Sequence, residues 1–162
     1  AGLGVGTYSG SFREVSPYRN KFTFNADLGY GRWLDQTNGA YVRLSHLTAQ
    51  RRGEHNQSIH SLQAGYMLNV KSAITGESTE NDVFQLTTLL GASMNVATRS
   101  GHGPTYAPGL QAAVQAGVRV APQVEIYLEP SVAAFGKTIE RSRNSYPVEA
   151  MAKLSLGTKI SF

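Results

Sequence analysis

The chain has no cysteine among its 162 residues, which argues against a disulfide-stapled scaffold and a thiolate metal site. Charge is scarce as well: 16% of residues are charged, against 41% hydrophobic. No apolar run approaches the ~18 residues that a membrane-spanning helix requires. That argues against a helical span only, because a strand crosses a bilayer with about 9–11 residues of alternating character. Helical periodicity is hard to find anywhere. No secretory leader is visible at Ala1, so the chain is expected to be mature or trimmed. Its length fits a single domain, residues 1–162.

What the sequence has instead is period-two alternation, the mark of a β-strand with one apolar and one polar face. The closing run "MAKLSLGTKISF" sets Ala152, Leu154, Leu156, Thr158, Ile160 and Phe162 against Lys153, Ser155, Gly157, Lys159 and Ser161. Seven earlier runs behave similarly, beginning near Leu3, Phe22, Ala40, Leu62, Phe84, Leu110 and Val124. Eight is an even number and the smallest common barrel. Pro130 removes a ladder donor inside the seventh run, so a bulge is expected there; it would reverse the faces of Val132 to Phe135, which are left unassigned.

The two faces then have to be assigned. A soluble, lipocalin-like barrel would turn its apolar set inward. The apolar sets are too long and numerous for a narrow lumen, however. The polar sets carry both signs of charge: Asp27, Arg43, Arg119, Glu125, Glu129, Lys153 and Lys159. Opposite charges sharing one lumen can pair, whereas a Lys or Arg facing the bilayer midplane costs about 2–4 kcal/mol. The apolar face is therefore read as outward, and lipid contact requires the sheet to close so that every backbone polar group is paired. Tyr30, Trp33, Tyr66, Phe84 and Phe162 fall near strand ends on one rim, as interfacial aromatic girdles do. The expected fold is all-β: an eight-stranded antiparallel up-and-down transmembrane β-barrel with a polar, side-chain-filled lumen. Its last strand, ending on Phe162, resembles the terminal signal read by the barrel-assembly machinery of the bacterial outer membrane.

With both termini in the periplasm, the outer loops fall near 13–21, 50–57, 98–109 and 137–147, and the inner turns near 34–39, 71–82 and 121–123. The outer tips carry Arg13, Arg19, Lys21, Arg51, Arg52, Arg99, Lys137, Arg141 and Arg143 against Glu14, Glu54 and Glu140. Such a basic rim suits the phosphates of lipopolysaccharide, because guanidinium groups offer bidentate hydrogen bonds.

Three stretches carry a family resemblance. "LGYGRWLDQTNGAYVRLSH" looks like the second hairpin of OmpA-like barrel proteins of the Bacteroidota type, in which a Gly-x-Trp strand end, a short turn and an x-Val-Arg-Leu strand follow one another. "AGYMLNVKSAITGESTENDVFQLTTLLGASM" resembles the next hairpin, with its long inner turn, and "APGLQAAVQAGVRVAPQVEIYLEPSVAAF" the third. The resemblance covers most of the chain as pattern and implies an outer-membrane barrel in a structural or anchoring role. Such proteins often continue into a peptidoglycan-binding domain. The chain stops at the barrel, so that activity is not carried over.

Catalysis is the alternative to this reading. Some eight-stranded barrels modify lipid A, and a hydrolase of that kind needs Ser, His and an acid together at the outer leaflet. Ser58 and His60 share a strand face, with Glu54 nearby and His46 as a rival partner for Ser58. Deacylase barrels are similar but place His before Ser, so ordinary rim residues are the preferred reading and no enzyme is expected. His55 and His102 have no metal-ligand companions, and neither a metal nor a cofactor is expected. Nucleic-acid binding lacks any basic groove or helix. The expected partners are outer-membrane lipids and lipopolysaccharide, the insertion machinery, and other outer-membrane proteins if the barrel is an accessory subunit of a larger complex. A lumen so filled is expected not to conduct.

Overall fold

The computed structural model describes residues 2–9, 23–49, 57–78, 82–99, 102–136 and 148–161. Eight strands run in chain order: β1 (Gly2–Ser9), β2 (Thr23–Trp33), β3 (Asn38–Ala49), β4 (Gln57–Asn69), β5 (Phe84–Arg99), β6 (His102–Ala121), β7 (Val124–Gly136) and β8 (Val148–Ile160). Each pairs antiparallel with its sequence neighbours, and β1 also pairs with β8, from Gly2↔Gly157 to Ser9↔Ala150, closing the barrel. Closure leaves the sheet without a free edge strand. We call the end that carries the β2–β3, β4–β5 and β6–β7 connections the turn end, and the opposite one the loop end.

The short turns are built by their own side chains. At β2–β3, the Asp35 carboxylate accepts from the backbone N–H of Thr37 and of Asn38, both at 2.7 Å, and from the Asn38 amide at 2.8 Å. These donors, the Asn38 side chain foremost, hold its carboxyl below the usual Asp range. Between β6 and β7, Pro122 and Gln123 form the turn, and the register shifts between Arg119 and Ala121.

The structure corrects the sequence reading at three places. Pro130 produces no bulge. Burial alternates without a break from Val124 to Gly136, so Val132 faces outward and Ala133 and Phe135 inward. The β6–β7 ladder skips from Ala113↔Ser131 to Ala116↔Leu128 in unchanged register, while Pro130 still stands opposite Leu154 on β8. A missing N–H removes rungs there but inserts no residue.

The expected outer loop at 98–109 is largely strand: β5 runs to Arg99 and β6 starts at His102. Glycine and proline made "GHGPTYAPG" read as a loop. Yet Pro104 and Pro108 lie in a part of β6 that, among the described residues, pairs with β5 alone, and proline is tolerated on such an edge.

The third correction is a helical turn where none was expected, α1 (Val70–Thr75) in the inner connection. Asn69 caps it, its side chain accepting from the Ser72 N–H at 3.2 Å. Gly76 ends it in the left-handed conformation at φ 70, which favours glycine. Buried Ser72 hydrogen-bonds Thr37 at 3.1 Å, tying α1 to the β2–β3 turn.

Candidate functional site

Alternation divides the strand residues into two populations, and the outward one is apolar. Leu28 is 63% exposed, Leu44 56%, Leu90 54%, Leu110 69% and Leu156 59%. Valines and alanines complete the belt on β6 and β7. Arg32, one residue from the end of β2, is the one Lys, Arg, Asp or Glu at an outward strand position among the described residues. Tyr30, Trp33, Tyr66 and Phe84 are exposed towards the turn end, as the girdle reading requires. Phe162 lies outside the described residues.

The inward population is stratified along the axis. Each of four strands repeats one order from turn end to loop end: Tyr41, Arg43, Ser45, Leu47 on β3; Met67, Gln63, Ser61, Ile59 on β4; Leu89, Ser93, Asn95, Ala97 on β5; Tyr127, Glu129, Ser131, Phe135 on β7. Towards the turn end Tyr41, Met67, Leu89 and Ala113 pack together. Room for Tyr41 comes from Gly91, while Gly65, opposite it on β4, allows close approach of the β5 backbone. A Cβ on Gly91 would meet the Tyr41 hydroxyl at 2.6 Å, and one on Gly65 would meet the Leu90 carbonyl at 2.1 Å. Towards the loop end Leu47, Ile59, Ala97, Ala107, Ala133, Phe135 and Met151 form a second apolar plug. The expected polar, side-chain-filled lumen thus has a polar middle flanked by two apolar clusters that the sequence reading did not include.

The polar middle is knitted across the axis. Arg43 on β3 holds Glu129 on β7 through two hydrogen bonds, Nη1–Oε1 at 2.5 Å and Nη2–Oε2 at 2.8 Å. Gln115 Nε2 donates to the same Glu129 Oε2 at 2.6 Å. A planar fork meets a carboxylate, the geometry in which a charge-assisted pair is strongest. Beside it Lys153 Nζ reaches both oxygens of Asp27, at 2.8 and 3.0 Å, and Ser45, Asn25 and Ser155 also donate to that carboxylate. Lys153 and Asp27 belong to β8 and β2, with β1 between them. The register sets glycines on β1 opposite these partners: Gly2 with Asp27, Gly4 with Asn25 and Ser155, Gly6 with Lys153.

At the turn end Glu125 stands between Arg119 and Lys159 in the strand register, with Lys159 Nζ at 2.7 Å. Five of the seven expected lumen charges are thus buried and two, Arg119 and Lys159, half-buried at the mouth.

Of the sequence-proposed catalytic set, the described residues include Ser58, His60 and the rival His46. Ser58 and His60 do share the outward face, but no hydrogen bond joins them among the described residues. His60 instead lies against His46, directly opposite on β3, with Nδ1 atoms 3.3 Å apart. Glu54 lies outside the described residues, as do Arg13, Arg19, Lys21, Arg51, Arg52, Lys137, Arg141 and Arg143. For Arg99, only the backbone of β5 is described.

An up-and-down barrel whose exterior is apolar and whose interior holds the ion pairs inverts the usual polarity of a water-soluble domain. Its fold is similar to that of Neisserial surface protein A (NspA), with a TM-score of 0.69 and 14% identity over 99% of this chain and 94% of that one. It is also similar to Ail, the attachment invasion locus protein of Yersinia pestis, with a TM-score of 0.54 and 14% identity over 99% and 94% of the two chains. Both are eight-stranded outer-membrane barrels, and at this identity the likeness is one of fold. No protein-family model and no curated sequence matches the chain.

Proposed function

We propose that the chain is an integral barrel of the bacterial outer membrane, non-enzymatic and closed to solutes, with both termini in the periplasm and a structural or anchoring role. One observation carries this reading: a closed sheet whose outward leucines and valines form a continuous belt while Asp27, Arg43, Glu129 and Lys153 neutralise one another inside. In water that belt would be an exposed apolar patch far larger than soluble monomers tolerate. In a bilayer it is the expected surface. The fold shared with NspA and Ail supports the same placement.

The finer family reading, OmpA-like barrels of the Bacteroidota type, is supported by the three matching stretches coinciding with the three turn-end hairpins, β2–β3, β4–β5 and β6–β7. The basic residues of the outer tips support lipopolysaccharide as the neighbouring lipid. An accessory place in a larger membrane complex has one observation in its favour. Ala112, Val132 and Ala152 are consecutive partners across β6, β7 and β8, and Ala134 pairs with Ala150 beside them, a low-relief outward patch where another barrel can approach closely.

Two apolar clusters and a cross-linked polar layer fill the lumen with side chains, so ions should not pass. Reconstituted into planar bilayers, the folded chain is expected to give no stable unitary conductance. Steady, porin-sized steps would overturn the closed-lumen part of the proposal.

A further inference from the structure

We propose that His46 and His60 form a two-histidine chelate for a transition-metal ion, Zn2+ in the first instance, on the barrel exterior near the loop end. The two residues are cross-strand partners on β3 and β4, His46↔His60, and both side chains point outward. Their rings are tilted at 46° with centroids 4.6 Å apart, and the two Nδ1 atoms approach to 3.3 Å. A tetrahedral ion that holds two imidazole nitrogens at about 2.0–2.1 Å sets them roughly 3.3–3.4 Å apart. The separation found is thus one edge of a zinc coordination tetrahedron.

The tautomer fits as well. His46 Nε2 lies 3.0 Å from Thr48 Oγ1, the next outward residue of β3. With Nε2 protonated and donating to that hydroxyl, Nδ1 of His46 carries the lone pair, which is how an outer hydrogen bond orients a metal-binding histidine. His χ2 torsions are broad, so small ring rotations aim both Nδ1 lone pairs at one point. Backbone pairing on both sides, Ala26↔His46 and His60↔Val96, fixes the strands that present the rings.

No group of three or more His, Cys, Asp or Glu side chains able to hold a metal occurs among the described residues. The described residues therefore supply two ligands here, and water completes the tetrahedron. His60 is exposed and His46 half-buried, so an ion can enter from the loop end without opening the barrel. The site stands on side-chain geometry alone and is independent of the membrane proposal.

The test is Zn2+ titration of the folded chain in detergent micelles at pH 7.5, read by calorimetry and by histidine ring NMR signals. Four histidines are present, so variants separate them. One ion per chain is expected, perturbing the His46 and His60 rings together and persisting in H55A/H102A. It should be lost in H46A/H60A. Thr48→Val should retain the site but weaken it about 10-fold, the usual effect of removing an orienting partner. Each variant is checked for folding by the heat-dependent gel mobility of the barrel. No saturable uptake, uptake surviving H46A/H60A, or uptake lost with H55A/H102A would overturn the proposal.

Discussion

Glu129→Ala should destabilise the barrel by about 3–5 kcal/mol, the cost of leaving a buried charge without its partner. Arg43 is 7% exposed and Glu129 1%, and two of the guanidinium's N–H groups end on that one carboxylate. Truncation leaves the buried Arg43 guanidinium in the middle of the lumen without that carboxylate. The Gln115 amide loses an acceptor in the same step. A shift in the urea midpoint of the folded barrel in detergent or lipid measures the loss. The double variant Arg43→Met/Glu129→Met should recover much of it, because an apolar pair of similar volume avoids burying charge at all. Conductance should stay negligible in Glu129→Ala, since Leu47, Ile59, Phe135 and Met151 still close the loop end. A loss below 1 kcal/mol would mean that water reaches Arg43 freely and that the lumen is wetter than its packing implies.

The second large effect is on the other face. Leu44→Arg should cost about 2–4 kcal/mol when the barrel is folded in lipid. Leu44 is 56% exposed and stands between Leu28 on β2 and Leu62 on β4, near the middle of the belt. The same exposure on a soluble domain would make this substitution nearly neutral, because surface changes usually lie within about 0.5 kcal/mol. The contrast gives the prediction its force. The measurement is the unfolding free energy in lipid vesicles, with Leu44→Ala as the reference that removes the leucine without adding charge.

How much of this was legible follows from where period-two alternation holds. Through the middle of the strands every second residue is apolar and its neighbours are polar, so the inward placement of Asp27, Arg43, Glu129 and Lys153 could be anticipated from parity. Near the loop end the rule inverts. His46, Thr48, Ser58 and His60 turn outward while Leu47, Ile59 and Phe135 turn inward. A reader following hydrophobicity alone loses the phase there, which is why neither the apolar plug nor the facing histidines could be read beforehand. The physical reason is that a membrane belt has finite height. Beyond it, outward positions meet polar surroundings, and the lumen is sealed by apolar packing in place of ion pairs.

Other misses have local causes. Pro130 was expected to distort its strand, but the closed sheet keeps its register and gives up rungs of the ladder on one side only. The helix α1 was hidden by its brevity, since six residues carry no periodicity. Its signals were the cap Asn69 and the stop Gly76, seven positions apart, rather than any pattern between them. The Arg43–Glu129 pairing itself was beyond sequence reading, because partners 86 positions apart are chosen by strand stagger and by the shape of the lumen.

The most direct measurement of sidedness is tryptophan quenching by brominated acyl chains. With the single Trp33 replaced by Phe, one tryptophan is placed at Leu44 and, in a second variant, at Tyr127, which is 7% exposed and faces the axis. The expected result is strong quenching at position 44 and little at 127. Fluorescence quenched at 127 and untouched at 44 would contradict the assignment of faces and with it the membrane placement.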